Sequence, residues 1–167
     1  VDFDYFKIED KISDCRWADV CYADDELEGH KLDIYLPDTG KSSHKVVVLI
    51  YGSAWFANNM KQNAFQVFGR SLLDKGFAVV SINHRSSRDA KFPAQINDVK
   101  AAIRFIRANA AKYKLDTSFI GITGFSSGGH LASLAGTTNG VKSYTIGDKT
   151  VDLEGNVGEY CSFSSRV

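Results

Sequence analysis

The stretch GITGFSSGGHLAS, residues 121–133, sets two serines side by side between glycines, and its reading decides the fold. To its left, SFIGITGF (118–125) is a short apolar, β-branched run of the kind that forms a strand covered on both faces of a sheet. To its right, GGHLASLAG (128–136) opens an alanine-rich helix. A sharp strand-to-helix turn holds a serine hydroxyl clear of the backbone and points a helix N-terminus at a developing oxyanion. Such a turn needs small residues two positions to either side of the serine, because its backbone is strained and closely packed. Ser126 has Gly124 and Gly128 at those positions, whereas Ser127 has Phe125 and Gly129. Ser126 is therefore the candidate nucleophile, and Ser127 supplies a backbone N–H with its own hydroxyl incidental.

Two more runs share the buried-strand pattern, KVVVLIYG (45–52) and GFAVVSINH (76–84), while HKLDIYLP (30–37) alternates apolar and polar residues as a half-buried strand does. Between them, QNAFQVFGRSLLDKG (62–76) carries Phe65, Phe68 and Leu72 on one helical face, with Gly76 as a C-cap. In FPAQINDVKAAIRFIRANAAKYKLD (92–116), Pro93 suits a first helical turn. Ile96, Val99, Ile103 and Ile106 form one stripe there, with Lys100, Arg104 and Arg107 mostly outside it. Strands alternating with helices predict a parallel sheet with helices on its faces. From Thr137 to Val167 periodicity decays, and the segment reads as a long surface excursion.

Composition narrows the functions. The 167 residues, 44% hydrophobic and 24% charged, predict a single globular domain over 1–167. A net charge of +0, from 20 basic and 20 acidic residues, leaves no basic stripe for nucleic acid. No apolar run approaches the ~20 residues of a membrane span, and the opening VDFDYFKIEDKIS is too charged for a signal peptide, although a leader could precede it. Cys15, Cys21 and Cys161 lack the spacing of a zinc site. Cys15 and Cys21, six residues apart across a strand, are read as free thiols rather than a bridge.

Taken in order, LIYGSAWFANN (49–59), INHRSS (82–87), the 92–116 helix and GFSSGGHLASLAG (124–136) resemble the serine α/β-hydrolases of the esterase/lipase group, in particular their carbohydrate-ester and feruloyl-esterase-like branch. The resemblance implies an α/β-hydrolase fold, a mostly parallel sheet with helices on both faces, here truncated before its later strands. It implies a carboxylic-ester hydrolase that works through an acyl-enzyme, with acetyl or feruloyl esters of carbohydrates as the substrate class. No metal or organic cofactor is implied, and no nucleic-acid or membrane partner. Work on polysaccharide esters would suit a secreted or periplasmic enzyme, with the cytoplasm left open.

Where the family reads His-Gly-Gly-Gly/Ala-Trp, this sequence has Tyr51, Gly52, Ser53, Ala54 and Trp55. The resemblance assigns the backbone amides of Ser53 and Ala54, with that of Ser127, to an oxyanion hole, and places Tyr51 and Trp55 beside the substrate. It also pairs Arg85 with Asp98 as a structural brace. His130 is expected to pack along its helix. His84 is expected to be structural, with substrate contact as the alternative, and His30 and His44 to be solvated. The triad acid and histidine are expected beyond residue 167, because Asp148, Asp152, Glu154 and Glu159 lie in an irregular segment and His130 is the one histidine after Ser126. The rest of the same enzyme is then needed to complete the fold, and the 167 residues alone are expected to fold and catalyse poorly. A serine peptidase of the related group and a non-catalytic binding scaffold are the alternatives.

Overall fold

The computed structural model describes residues 15–139 and the backbone of 161–163. Six strands form one sheet: β1 (Cys15–Cys21), β2 (Lys31–Tyr35), β3 (His44–Ile50), β4 (Ala78–Ile82), β5 (Leu115–Gly124) and β6 (Cys161–Phe163). They lie in the order β1-β2-β4-β3-β5-β6. The β3–β4, β3–β5 and β5–β6 pairs are parallel, while β1 and β2 add an antiparallel edge. This is the α/β-hydrolase fold that the motifs imply, with the parallel part centred on β3.

Side-chain alternation divides the core in two. Val46, Val48 and Ile50 of β3, with Val80, Ile82 and Ile122, face α3 (Ala94–Ala108) and α4 (Ser127–Thr137). Val47, Leu49 and Val79 face the opposite layer, where α1 (Lys61–Ala64) runs through a π-helical turn at Phe65–Gly69 into α2 (Arg70–Asp74). Phe65 and Leu73 are buried there, and Phe68 and Leu72 pack at the margin, so the helical face expected from the sequence is the one in use. Gly76 closes the helix at φ 85°. The peptide between Phe92 and Pro93 is cis, and Pro93 stands just before α3 instead of inside its first turn. Among the described residues no helix is long and apolar enough to cross a membrane.

Four expectations change. β2 is buried on both faces because α1 covers the side that the alternation assigned to solvent. Asp33, 1% exposed, finds the Lys61 ammonium 3.4 Å away, and Asp19 reaches the same Nζ at 2.7 Å. In α3, Lys100 and Arg104 are buried beside the apolar stripe, since α4 packs on that helix while the sheet takes its other side, and Lys100 Nζ donates to the Thr138 carbonyl at 2.5 Å. Third, part of the segment read as a surface excursion is a strand: β6 pairs with β5 as Ile122↔Cys161, Thr123↔Ser162 and Gly124↔Phe163. The edge of the Ser126-bearing strand, which a sheet truncated before its later strands would leave open, is covered at its C-terminal end. A three-residue strand held by main-chain pairing is too short to print a periodicity. Fourth, the loop histidines are not solvated. His30 and His44 are 6% and 5% exposed. Cys15 and Cys21 are free thiols, and burial, then the Asp33 charge, pushes the Cys15 thiol up to about 11.

Candidate active site

Ser126 sits where β5 ends and α4 begins. Its backbone, at φ 52° and ψ −127°, lies in a region that residues with a Cβ rarely occupy, and the turn holds it there by close packing. A Cβ on Gly124 would stand 2.5 Å from the Ile50 carbonyl oxygen and 2.7 Å from the Gly128 carbonyl carbon. One on Gly128 would collide with the carbonyl oxygens of Ile50 and Tyr51. The two glycines thus let the elbow press against the end of β3, and Ser126 is left exposed at the helix N-terminus.

The loop after β3 reaches the same place. A Cβ on Gly52 would meet the Phe125 carbonyl oxygen at 2.5 Å and the Ser126 Cβ at 2.7 Å, so this loop lies directly against the serine. Beyond it the chain turns tightly: Phe56 N–H donates to the Ser53 carbonyl at 2.9 Å, and the two central residues, Ala54 and Trp55, have φ of 48° and 62°. Positive φ at both central positions is what a type I′ turn demands, and it is unusual without glycine or asparagine. Ser53 shapes this turn through every polar group it has. Its Oγ accepts Ala57 N–H at 3.2 Å, and its own N–H donates to Ser127 Oγ at 3.0 Å in a buried contact. The Ser127 hydroxyl is therefore not incidental, and the Ser53 amide, expected to face an oxyanion, is already engaged. No hydrogen bond among the described residues takes up the N–H of Ala54 or of Ser127.

Tyr51 does not line a pocket. It is fully buried, stacked on His84 at 4.7 Å with 14° between the rings, and its hydroxyl points at the carbonyl oxygens of Ala57 and His84 at 3.0 and 3.3 Å. A ring in the position of the family's first loop residue thus anchors the loop from beneath. His84 is equally buried, and burial holds its imidazole below the ordinary histidine range, so it is a neutral packing residue. Trp55 is 37% exposed at the turn's tip, with its ring edge on His130, 5.4 Å between centroids. His130 lies on the exposed side of α4, where its packing partner is the Trp55 ring of the loop after β3 and not its own helix.

Beside the loop, Asp98 is fully buried and accepts hydrogen bonds from Arg85 Nε at 3.0 Å, Arg85 Nη2 at 2.5 Å and the Arg85 backbone N–H at 2.8 Å. The expected pair is present, with a third member that the sequence did not reveal. His30 Nε2 lies 3.2 Å from Asp98, and its Nδ1 meets the Asp25 carboxylate at 2.8 Å. Burial pulls the His30 imidazole down, yet the hydrogen bonds and charges of Asp98 and then Asp25 outweigh it and leave its pKa raised. Asp148, Asp152, Glu154 and Glu159 lie outside the described residues.

Comparisons with known proteins point to esterases. The BD-FAE family model matches residues 32–167. Among curated proteins, the esterase LipQ of Mycobacterium tuberculosis is 42% identical over 90 residues, covering 54% of this chain and 21% of its own length. Among solved structures, a bifunctional GH43-CE of Bacteroides eggerthii is 91% identical with a TM-score of 0.77, over 95% of this chain and 22% of that one. A truncated carbohydrate esterase from gut microbiota is 63% identical with a TM-score of 0.76, over 90% and 53%. The chain thus spans about a fifth of the length of the curated relative LipQ.

Proposed function

Because the chain belongs to the BD-FAE family, we propose that it carries the nucleophile and oxyanion hole of a carboxylic-ester hydrolase acting on esters of carbohydrates. The observation that carries the reading is the Ser126 elbow, a strained, exposed serine at a helix N-terminus with the glycine-bearing loop of Gly52 against it. Ser126 Oγ attacks the ester carbonyl, and the carbonyl oxygen becomes an oxyanion held by the N–H groups of Ala54 and Ser127. Collapse expels the alcohol and leaves an acyl-enzyme on Ser126, which water then cleaves. A histidine and a carboxylate that follow Ser126 in the chain order usual for this fold move the proton. Trp55, exposed beside the turn, meets the substrate. The carbohydrate assignment draws on the two solved relatives, one a truncated carbohydrate esterase and the other a bifunctional GH43-CE.

The test is turnover by the intact protein of p-nitrophenyl acetate and of acetylated and feruloylated oligosaccharides, with and without Ser126→Ala. Turnover of at least one sugar ester that disappears in the variant is expected. Undiminished turnover in Ser126→Ala would remove the serine mechanism, and turnover confined to the aryl ester would remove the carbohydrate assignment.

A further inference from the structure

Resting on that reading, we infer that the side-chain hydroxyl of Ser127 is a positioning residue that sets the oxyanion hole by tying the loop after β3 to the helix of the nucleophile. Ser53 uses three polar groups. Its carbonyl and its Oγ bind Phe56 and Ala57, both inside the loop, and so give the loop its own shape. Its N–H alone leaves the loop, to Ser127 Oγ at 3.0 Å, with Ser53 4% and Ser127 3% exposed.

The two residues joined by this bond each adjoin or supply one of the proposed donors. Ser127 contributes its own backbone N–H, and the amide of Ala54 follows Ser53 by one residue. The bond, between residues 74 apart in the chain, therefore fixes the separation of two donors that come from different elements. It does so where the backbone has reason to move, since Ala54 and Trp55 are held at positive φ without glycine. With the hydroxyl gone, the loop keeps its internal bonds but loses this link to α4. The Ala54 donor can then drift from the oxyanion position, and Trp55, the next residue of the same turn, moves with it. The donor acts only once charge develops on the oxygen, so with an ester as small as p-nitrophenyl acetate the loss falls chiefly on kcat.

Steady-state kinetics of the intact protein with p-nitrophenyl acetate test this, using Ser127→Ala, Ser127→Thr and Ser127→Cys beside Ser126→Ala. Ser127→Ala is expected to lower kcat roughly 10- to 100-fold, as displacement of a catalytic donor does, with KM within about twofold. Ser127→Thr, which keeps a hydroxyl, is expected to recover most of that loss. Should Ser127→Ala not fold, Ser127→Cys keeps the volume with a much weaker acceptor and is read by the same criterion. A kcat within about twofold of the parent in the folded variant, or a loss that appears only in KM, overturns the inference. Turnover surviving in Ser126→Ala would instead overturn the nucleophile assignment, and loss in Ser126→Ala with parental kcat in Ser127→Ala would overturn the tether alone.

Discussion

The buried carboxylate of Asp98 receives both the side chain and the backbone N–H of Arg85, and the imidazole of His30 meets the same oxygen, Oδ1, that the guanidinium does. One acid thereby fixes the turn after β4 and the entry to β2, next to the edge of the sheet that carries Ser126. Asp98→Asn would replace the buried carboxylate between the Arg85 guanidinium and the His30 imidazole by a neutral amide, with Asp25 remaining as the acid on His30. We expect a loss of about 3 kcal/mol in urea unfolding of the intact protein, in the range found when one member of a buried pair is removed. A variant within about 0.5 kcal/mol of the parent, the size of an ordinary surface substitution, would show that the group is not acting as a brace.

His30 makes the same assembly sensitive to pH. Its folded-state pKa is raised above the reference value of 6.5, so protonation favours the folded form. The contribution is fully present below the unfolded value and is lost as pH rises through the higher folded one. The destabilisation caused by His30→Gln should therefore be larger at pH 5.5 than at pH 8.5, read as the difference in Tm between variant and parent at each pH. An equal difference at both would mean that His30 gains no charge in place.

Lys61, the first residue of α1, is buried against Asp33 of β2, and Ser81 Oγ donates to its carbonyl. Lys61→Met should cost about 3 kcal/mol by leaving Asp33 without its cation, and adding Asp33→Asn should return at least half of that. If the double variant is as unstable as the single one, the ammonium serves Asp19 rather than Asp33.

How much of this could be read from the residues follows from how locally each feature is encoded. The elbow was legible because a strained turn needs glycines at fixed offsets, and Gly124 and Gly128 supply them within five positions. The buried strands were legible because β4, residues 46–50 of β3 and residues 120–124 of β5 are covered on both sides and so read as short runs with few polar residues. Features that depend on a distant partner were not. Asp33 looks like a solvent-facing residue of an alternating strand until Lys61, 28 positions later, is folded over it. His30 looks like a loop residue until Asp98 arrives from α3. The bond from Ser53 to Ser127 joins two motifs that the sequence presents separately, and nothing local to Tyr51 hints that its ring lies on His84.

The glycines can be tested directly. Gly124→Ala would put its Cβ 2.5 Å from the rigid Ile50 carbonyl, so the elbow must open or β3 must move. We expect the intact protein carrying it to lose at least 100-fold in kcat, the scale on which small misplacements of reacting groups act. Full activity would mean that the turn does not need its close approach.

The most direct test of the central claim is to treat the intact protein with a fluorophosphonate ester and locate the adduct by mass spectrometry of its peptides. A single phosphonyl group on Ser126, with Ser127 unmodified, is the predicted result. An adduct on Ser127, or no adduct on a protein that turns over esters, would contradict the assignment of Ser126 as the nucleophile.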